Sequence, residues 1–377
     1  MRKRLLAPLL LILCAAFFLS DYTCPLLQRL PFSSETFGPV KGVVAPEEVR
    51  GEVFAVHSPE SASDCGTFVV VLENGRVVGR DGDVITAEDR LLLDTSLHSH
   101  RSLRSGAALK KHHLFRRLKL PRVRKVDETV AVVASGASNC YYHWMSEVVT
   151  KIEILKRSGI SYDKIYVSKI EFPYQKETLE MMGVDPAKII EGHRSLQIKA
   201  KKLVVPTLHN LENPFPQWAA EAITKAANVD SGSQRKRIFI SRAETVKRHI
   251  LNEEQLFIFL QRQGFEKVFL EKMSVKEQAQ LLHAAEVVIA PHGAGLTNLI
   301  FCQKGTRVIE LDPPGIPAET CYAVLSRSIG LVHQHLHGSL SFRNSREQLR
   351  YRFLKKDRYR DMTIDIDAFQ SLVNQTI

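Results

Sequence analysis

The sequence has no Cys-x-x-Cys pair, no Gly-x-Gly-x-x-Gly run and no lysine at Walker spacing from a glycine loop. The first absence argues against a zinc ribbon or a thioredoxin-type redox site. The other two disfavour NAD-type and NTPase cradles. Cysteine is sparse: Cys14, Cys24, Cys65, Cys140, Cys302 and Cys321 are spread through 377 residues, which excludes a disulfide-built mini-scaffold. Acidic residues are outnumbered, 41 Asp and Glu against 52 Lys and Arg, leaving a formal charge of +11. That excess points to an anionic partner, whether nucleic acid, membrane surface or acidic small molecule. Nucleic acid is the weakest of these, because the bases are dispersed and no binding-module signature is present. A 44% apolar and 25% charged composition is that of a folded chain rather than a disordered or collagenous one. At roughly 100–200 residues per domain, the length implies two domains.

What is present begins at the N-terminus. Met1-Arg2-Lys3-Arg4 precedes an apolar run over residues 5–19, broken only by Pro8. A full membrane span takes about 17–25 apolar residues, so the run is short, but no small-x-small cleavage site follows it. Residues 1–21 read as a signal anchor, with a cleaved signal peptide as the alternative. The basic start keeps itself cytosolic and sends the rest of the chain across, the topology of a single-pass type II membrane protein. Residues 22–50, rich in Pro, Ser and Gly, read as a stem.

Beyond the stem the pattern is α/β. Residues 68–72, Asn74-Gly75 and residues 76–78 suggest a hairpin with a primed turn. Residues 97–125 are strongly basic, with Lys110-Lys111-His112-His113 and Arg116-Arg117, which fits a solvated loop or a polyanion contact. Strand-like and helix-like segments then alternate, as in a parallel sheet with crossovers. The alternation repeats after a Pro-rich linker at 210–216. This predicts an N-terminal domain over 51–215, a C-terminal domain over 216–340 and a helical extension over 341–377. Two doubly wound halves place a cleft between them, outside the carboxyl ends of the strands. Asn252 is expected to cap one helix of the second half, and Ser274-Val275-Lys276-Glu277 to open the next as a capping box.

Four segments carry chemistry. His292-Gly293-Ala294-Gly295-Leu296-Thr297-Asn298 lies between a strand and a helix, where small residues let backbone amides approach a diphosphate. Ile240-Ser241-Arg242 ends a strand, so Arg242 can clamp phosphate, with Lys247 and Arg248 in the following loop. Glu310 closes Val308-Ile309-Glu310-Leu311, where a carboxylate can accept ribose hydroxyls. In Asn139-Cys140-Tyr141-Tyr142-His143-Trp144-Met145-Ser146-Glu147, His143 and Glu147 share one helical face and can act as a base and its orienting partner.

Together these segments resemble glycosyltransferase family 61, in Asn139–Glu147, in Ile240–Arg242 followed by Arg248 and Asn252-Glu253, and in Ala285–Glu310. The resemblance covers residues 125–315. It implies a GT-B-type fold of two Rossmann-like domains facing a cleft, and an inverting transferase moving a sugar from a nucleotide sugar, UDP by family likeness, to a glycan or glycoprotein acceptor. In that scheme His143 and Glu147 are catalytic, with the proton assigned to His143 because imidazole titrates near neutrality. Arg242, Arg248, His292, Gly293, Ala294, Gly295, Asn298 and Glu310 hold the donor, and Asn139 and Trp144 serve acceptor or structure. No metal is expected, since cations and helix amides can stabilise the leaving diphosphate. Asp81-Gly82-Asp83 and Asp365-Ile366-Asp367 match the short Asp-x-Asp pattern by composition, but neither follows a strand of the nucleotide half. His333, His335 and His337 alternate on one strand face and read as a solvated or interdomain strand. The implied location is the Golgi membrane, with secretion or a bacterial inner membrane as alternatives. The rival reading is a non-catalytic polyanion- or glycan-binding protein on a transferase-like fold.

Overall fold

The computed structural model describes residues 42–44, 52–55, 67–92, 112–207, 215–230, 235–245, 248–317, 319–342, 348 and 361–377. The expected anchor (1–21), residues 97–111 of the basic stretch, Lys247 and most of the stem and linker lie outside them. Among the described residues, no helix is long and apolar enough to cross a membrane.

The first half is built on a ten-stranded sheet. Its strands are β1 (Gly42–Val44), β2 (Glu52–Ala55), β3 (Phe68–Glu73), β4 (Arg76–Val78), β5 (Asp83–Ile85), β6 (Arg90–Leu92), β7 (Val123–Val132), β8 (Lys164–Val167), β9 (Ile189–Glu191) and β10 (Gln197–Pro206). The order is β1-β6-β5-β4-β10-β7-β8-β9, with β3 also on β10 and β2 on β3. β10, β7, β8 and β9 run parallel, as does β1 against β6, and the remaining pairs are antiparallel. The sheet is therefore mixed, rather than doubly wound throughout as the sequence pattern suggested.

The expected hairpin is corrected. β3 and β4 do not pair with each other but lie end to end along β10, both antiparallel to it. Asn74-Gly75 is the kink between them: Asn74 takes φ +56°, its amide donates to the Lys201 carbonyl, and Ala200 N–H donates to the Gly75 carbonyl. One long partner strand satisfies both segments, which a tight turn between two short strands would not. A Cβ on Gly75 would stand 3.0 Å from the Leu203 side chain and 3.1 Å from that of Leu72, a tight fit that favours glycine at the kink.

A helix over 141–158, α1, links β7 to β8. It starts as α-helix at Tyr141–His143, widens to a π-helical turn over Trp144–Val149, and returns to α over Thr150–Ser158. Gly159 ends it at φ +66°, a left-handed cap that glycine adopts without steric penalty. π-Turns inside α-helices commonly sit at functional sites. α2 (Pro173–Met181) follows β8, and α3 (Gln217–Ala227) leads to the second half.

The second sheet is parallel throughout: β11 (Lys236–Ile240), β12 (Phe265–Val268), β13 (Ala285–Pro291), β14 (Arg307–Asp312) and β15 (Val332–His337), in the order β12-β11-β13-β14-β15. α4 (Glu253–Arg262), α5 (Val275–His283) and α6 (Cys321–Ser328) pack on it. The capping box at Ser274 and Glu277 is present. Asn252 makes no side-chain cap bond. Its amide instead pairs with both backbone groups of Ile364, so a tertiary contact outcompetes the local cap. Residues 294–301 form a 3-10 helix, Ala294–Phe301. A two-stranded ribbon, β16 (Ser339–Leu340) with β17 (Met362–Thr363), and α7 (Ile366–Thr376) complete the described chain. Phe369 and Val373 of α7 join the same buried cluster as Phe239 and Ile289.

One apolar cluster contains Val133, Trp144 and Ile152 from the first half and Ala279, Leu296 and Phe301 from the second. The two sheets thus share a core. Fully burying each such side chain contributes about 1.5–3 kcal/mol, which fixes the relative placement of the two sets of strand ends.

Candidate functional site

In the first half the site grows from the end of β7. The strand passes through Val133 and Ala134, both buried, to Ser135, whose hydroxyl donates to Glu147 Oε2. The other oxygen, Oε1, lies 2.8 Å from His143 Nδ1. Burial pushes the Glu147 carboxyl up, but the hydrogen bonds from His143 and Ser135 and the charges of His143 and Lys151 outweigh it and hold the group below the ordinary carboxylate range. An ionised Glu147 fixes the proton of neutral His143 on Nδ1 and leaves Nε2 as the basic nitrogen. The His143 side chain keeps 27% exposure, so that nitrogen is accessible. A histidine held in this way by a carboxylate has the geometry to act as a base.

Trp144 is fully buried, and its indole N–H donates to Thr178 Oγ1 at 2.7 Å. Of its two expected roles, it has the structural one. Asn139 is exposed at the rim.

In the second half the site lies at the carboxyl ends of β11, β13 and β14. Gly293 follows β13 in extended backbone, φ 168°. A Cβ there would stand 2.3 Å from Nη1 of Arg242, so the Arg242 guanidinium lies directly on the glycine backbone. Burial, and then the Arg248 charge, bring the Arg242 guanidinium down to about 10. Arg248 sits at φ +62°, a conformation costly for a side-chain-bearing residue and typical of functional loops. Its buried Nε has no hydrogen-bond partner among the described residues. The Arg248 charge bears directly on Arg242, and two guanidiniums placed together in this way can hold an anion.

The loop is tied down on both sides. Ser241 Oγ donates to buried Glu253 at 2.6 Å. His249 reaches Asp361 Oδ1 at 2.9 Å and the Thr245 carbonyl at 2.7 Å.

Glu310 has a different place from the one expected. It is fully buried, and both of its oxygens are engaged. His292 Nδ1 lies 2.5 Å from Oε1. Thr320 Oγ1 donates to Oε2 at 2.7 Å, and His333 Nε2 is 3.0 Å from the same oxygen. A carboxylate so occupied orients His292 rather than presenting itself to ribose hydroxyls. Burial raises Glu310, but its bonds to His292, His333 and Thr320 bring it down to about 2. Neighbouring Asp312 is raised by burial and by the Glu310 charge. His335 Nδ1 is 2.7 Å from Asp312 Oδ2, so His333 and His335 line this network and are not merely solvated. His337 is exposed.

Side chains bridge the two halves. The Tyr141 hydroxyl donates to Asn298 Oδ1 at 2.7 Å, and Asn298 Nδ2 donates to Gln278 Oε1 at 2.7 Å. Tyr142 meets His143 and Tyr322 edge-on, with ring centroids 5.2 and 5.6 Å apart. Tyr322 meets His292 at 5.3 Å. The His143–Glu147 pair and the Arg242–Gly293 loop are thereby held on either side of one aromatic seam. Of the residues expected at the site, Asn298 is buried and structural, and Ala294 and Gly295 begin the 3-10 helix. Tyr141, Tyr142, Tyr322 and Ser135 were not singled out from sequence.

Among the described residues, three groups have ligating atoms within 4.8 Å of one another: Asp83 with His112 and His113, Glu310 with His333 and His335, and His292 with Glu310 and Asp312. In the first, His112 Nδ1 accepts from the Leu114 amide at 3.4 Å, which leaves Nε2 carrying hydrogen toward Asp83. In the second, each histidine already has a hydrogen-bonded carboxylate.

Residues 141–309 match the family model for Glycosyltransferase 61. The chain is 34% identical over 99 residues to "Protein O-linked-mannose beta-1,4-N-acetylglucosaminyltransferase 2" of Xenopus laevis, covering 25% of this chain and 17% of that protein. It is 31% identical over 94 residues to "Xylan glycosyltransferase MUCI21" of Arabidopsis thaliana, covering 24% and 19%. A third relative, from Danio rerio and named as the first, is 32% identical over 110 residues, covering 28% and 18%. The chain thus aligns with less than a fifth of each relative's length. The matched model takes in the dyad, the arginine loop and the glycine loop, so over residues 141–309 the chain is similar to glycosyltransferase family 61.

Proposed function

We propose that this protein transfers a sugar from a nucleotide sugar to a glycan or glycoprotein acceptor, with inversion. The observation that carries the reading is the pairing of a carboxylate-oriented imidazole, His143 on Glu147, with two mutually repelling guanidiniums, Arg242 and Arg248, across one seam. His143 Nε2 takes the acceptor hydroxyl proton as that oxygen attacks the anomeric carbon in line. Arg242, Arg248 and the amides around Gly293 receive the negative charge that builds on the leaving diphosphate. His292, held by Glu310 through Nδ1, opens the same loop. These cations do the work that a metal would otherwise do on the diphosphate, so the transfer step needs none.

The two halves act as acceptor and donor sides in the GT-B manner. A UDP-linked sugar is the donor that the family resemblance implies. Residues 1–21 anchor the chain in a Golgi-type membrane, in a compartment supplied with nucleotide sugars. The test is a panel of nucleotide sugars assayed for binding by thermal shift and for release of nucleoside diphosphate. Turnover of one donor, lost in Arg242→Ala, supports the reading, and a chain that binds and turns over none of them contradicts it.

A further inference from the structure

Lys151 is an unusual residue to find inside a helix that faces the core. It is 6% exposed, and burying an ammonium is costly unless it is paired and hydrogen-bonded. Its Nζ donates to the Ala134 carbonyl at 3.2 Å. The next residue of that loop, Ser135, donates to Glu147. Lys151 and Glu147 therefore reach consecutive residues of one loop from neighbouring turns of α1. Among the described residues, the titratable groups facing Glu147 are His143, Lys151 and Tyr142, all on α1, while Ser135 comes from the loop after β7.

We infer that Lys151 is a positioning residue of the His143–Glu147 pair, its buried ammonium neutralising the Glu147 carboxylate so that His143 is not drawn into holding a proton before the acceptor supplies one. The logic is electrostatic. A buried carboxylate alone favours the imidazolium form of a histidine bonded to it. The buried Lys151 cation, four residues along α1 from the carboxylate, offsets part of that pull. Glu147 then still orients His143, while the imidazole stays available as a base. Burial lowers the Lys151 ammonium and the Glu147 charge opposes that fall, which agrees with a mutually dependent pair. The role as a base rests on the reading above, but the charge coupling does not.

The test reads the coupling without any substrate. Carbethoxylation by diethyl pyrocarbonate modifies only unprotonated imidazole, and mass-spectrometric mapping of the full-length protein follows His143 across pH. Lys151→Gln and Lys151→Met should move the His143 midpoint to higher pH, whereas charge-retaining Lys151→Arg should leave it in place. A midpoint unmoved in both neutral variants overturns the inference. So does an equal displacement in Lys151→Arg. If the neutral variants do not fold, Glu147→Gln/Lys151→Met decides, because removing both charges should restore folding if the ammonium serves the carboxylate. A double variant that also fails to fold overturns the inference. If His143→Ala turns over sugar normally while the midpoint shifts as expected, the transfer mechanism is wrong and the coupling stands.

Discussion

Gly293→Ala separates a steric effect on the site from an effect on the fold. The backbone at Gly293 is extended, φ 168°, so alanine adopts it without strain. The added methyl meets Arg242 Nη1 at 2.3 Å and Cζ at 3.0 Å. Ordinary contact begins at 3.4 Å, so the guanidinium must retreat by at least 3.4 − 2.3 = 1.1 Å. What moves is the far end of a flexible side chain, so unfolding free energy should change by less than about 0.5 kcal/mol, as for substitutions that break no structural feature. Function should suffer far more. A charge-assisted hydrogen bond contributes about 1.5–3 kcal/mol, which at about 1.4 kcal/mol per decade is about 10- to 150-fold in kcat/KM. A misplacement near 1 Å can cost about 100-fold by itself. The assay is nucleoside diphosphate release for Gly293→Ala, Arg242→Ala and the double variant. Because the methyl acts through Arg242, its effect should vanish in the Arg242→Ala background. An equal loss in both backgrounds, or no loss in the single variant, refutes the proposed anion clamp.

Other outcomes follow from the same geometry. His143→Ala should lower transfer by about 100- to 10,000-fold while leaving donor affinity within error, as read by turnover beside isothermal titration. Tyr141→Phe removes the hydroxyl that reaches buried Asn298 Oδ1 at 2.7 Å; leaving that oxygen unpaired should cost about 1–3 kcal/mol in urea unfolding. The Glu147 carboxyl is lowered in the folded state from its ordinary value of 4.5, so its stabilisation is present above that value and is lost as pH falls through the folded value. Comparing unfolding free energies at neutral and acid pH, Glu147→Gln should show a shallower acid loss than the wild type.

The local motifs were readable because their chemistry is carried by residues close in sequence. Gly293 and Gly295 between strand and helix, Arg242 at a strand end, and His143 with Glu147 on one helix turn all follow from spacing alone. What sequence did not reveal depends on which strands become neighbours. Glu310 read as a ribose ligand because its strand-end position allows that role. It is instead consumed by His292 from the adjacent strand end, by Thr320 and by His333, and the register that sets His335 opposite Glu310 is not encoded by any local pattern. The Asn74-Gly75 kink shows the same limit, since a good turn sequence was overridden by pairing along β10. Asp83 and the His112-His113 pair read as a chance Asp-x-Asp match and a basic loop. The fold brings them together, with Asp83 Oδ2 3.0 Å from His113 Nε2. The π-turn at Trp144–Val149 has no residue signature of its own, and Lys151 was hidden within a helix that otherwise reads as amphipathic.

The central claim is that one chain presents a base on its first half and an anion clamp on its second to a single nucleotide sugar. The most direct measurement is nucleoside diphosphate release from a donor panel, with and without acceptor glycans, for the wild type, His143→Ala and Arg242→Ala. The account predicts one preferred donor, release that rises with the right acceptor, donor binding retained in His143→Ala and lost in Arg242→Ala, and transfer abolished in both. Transfer at wild-type rates in either variant, once shown to be folded, would contradict it.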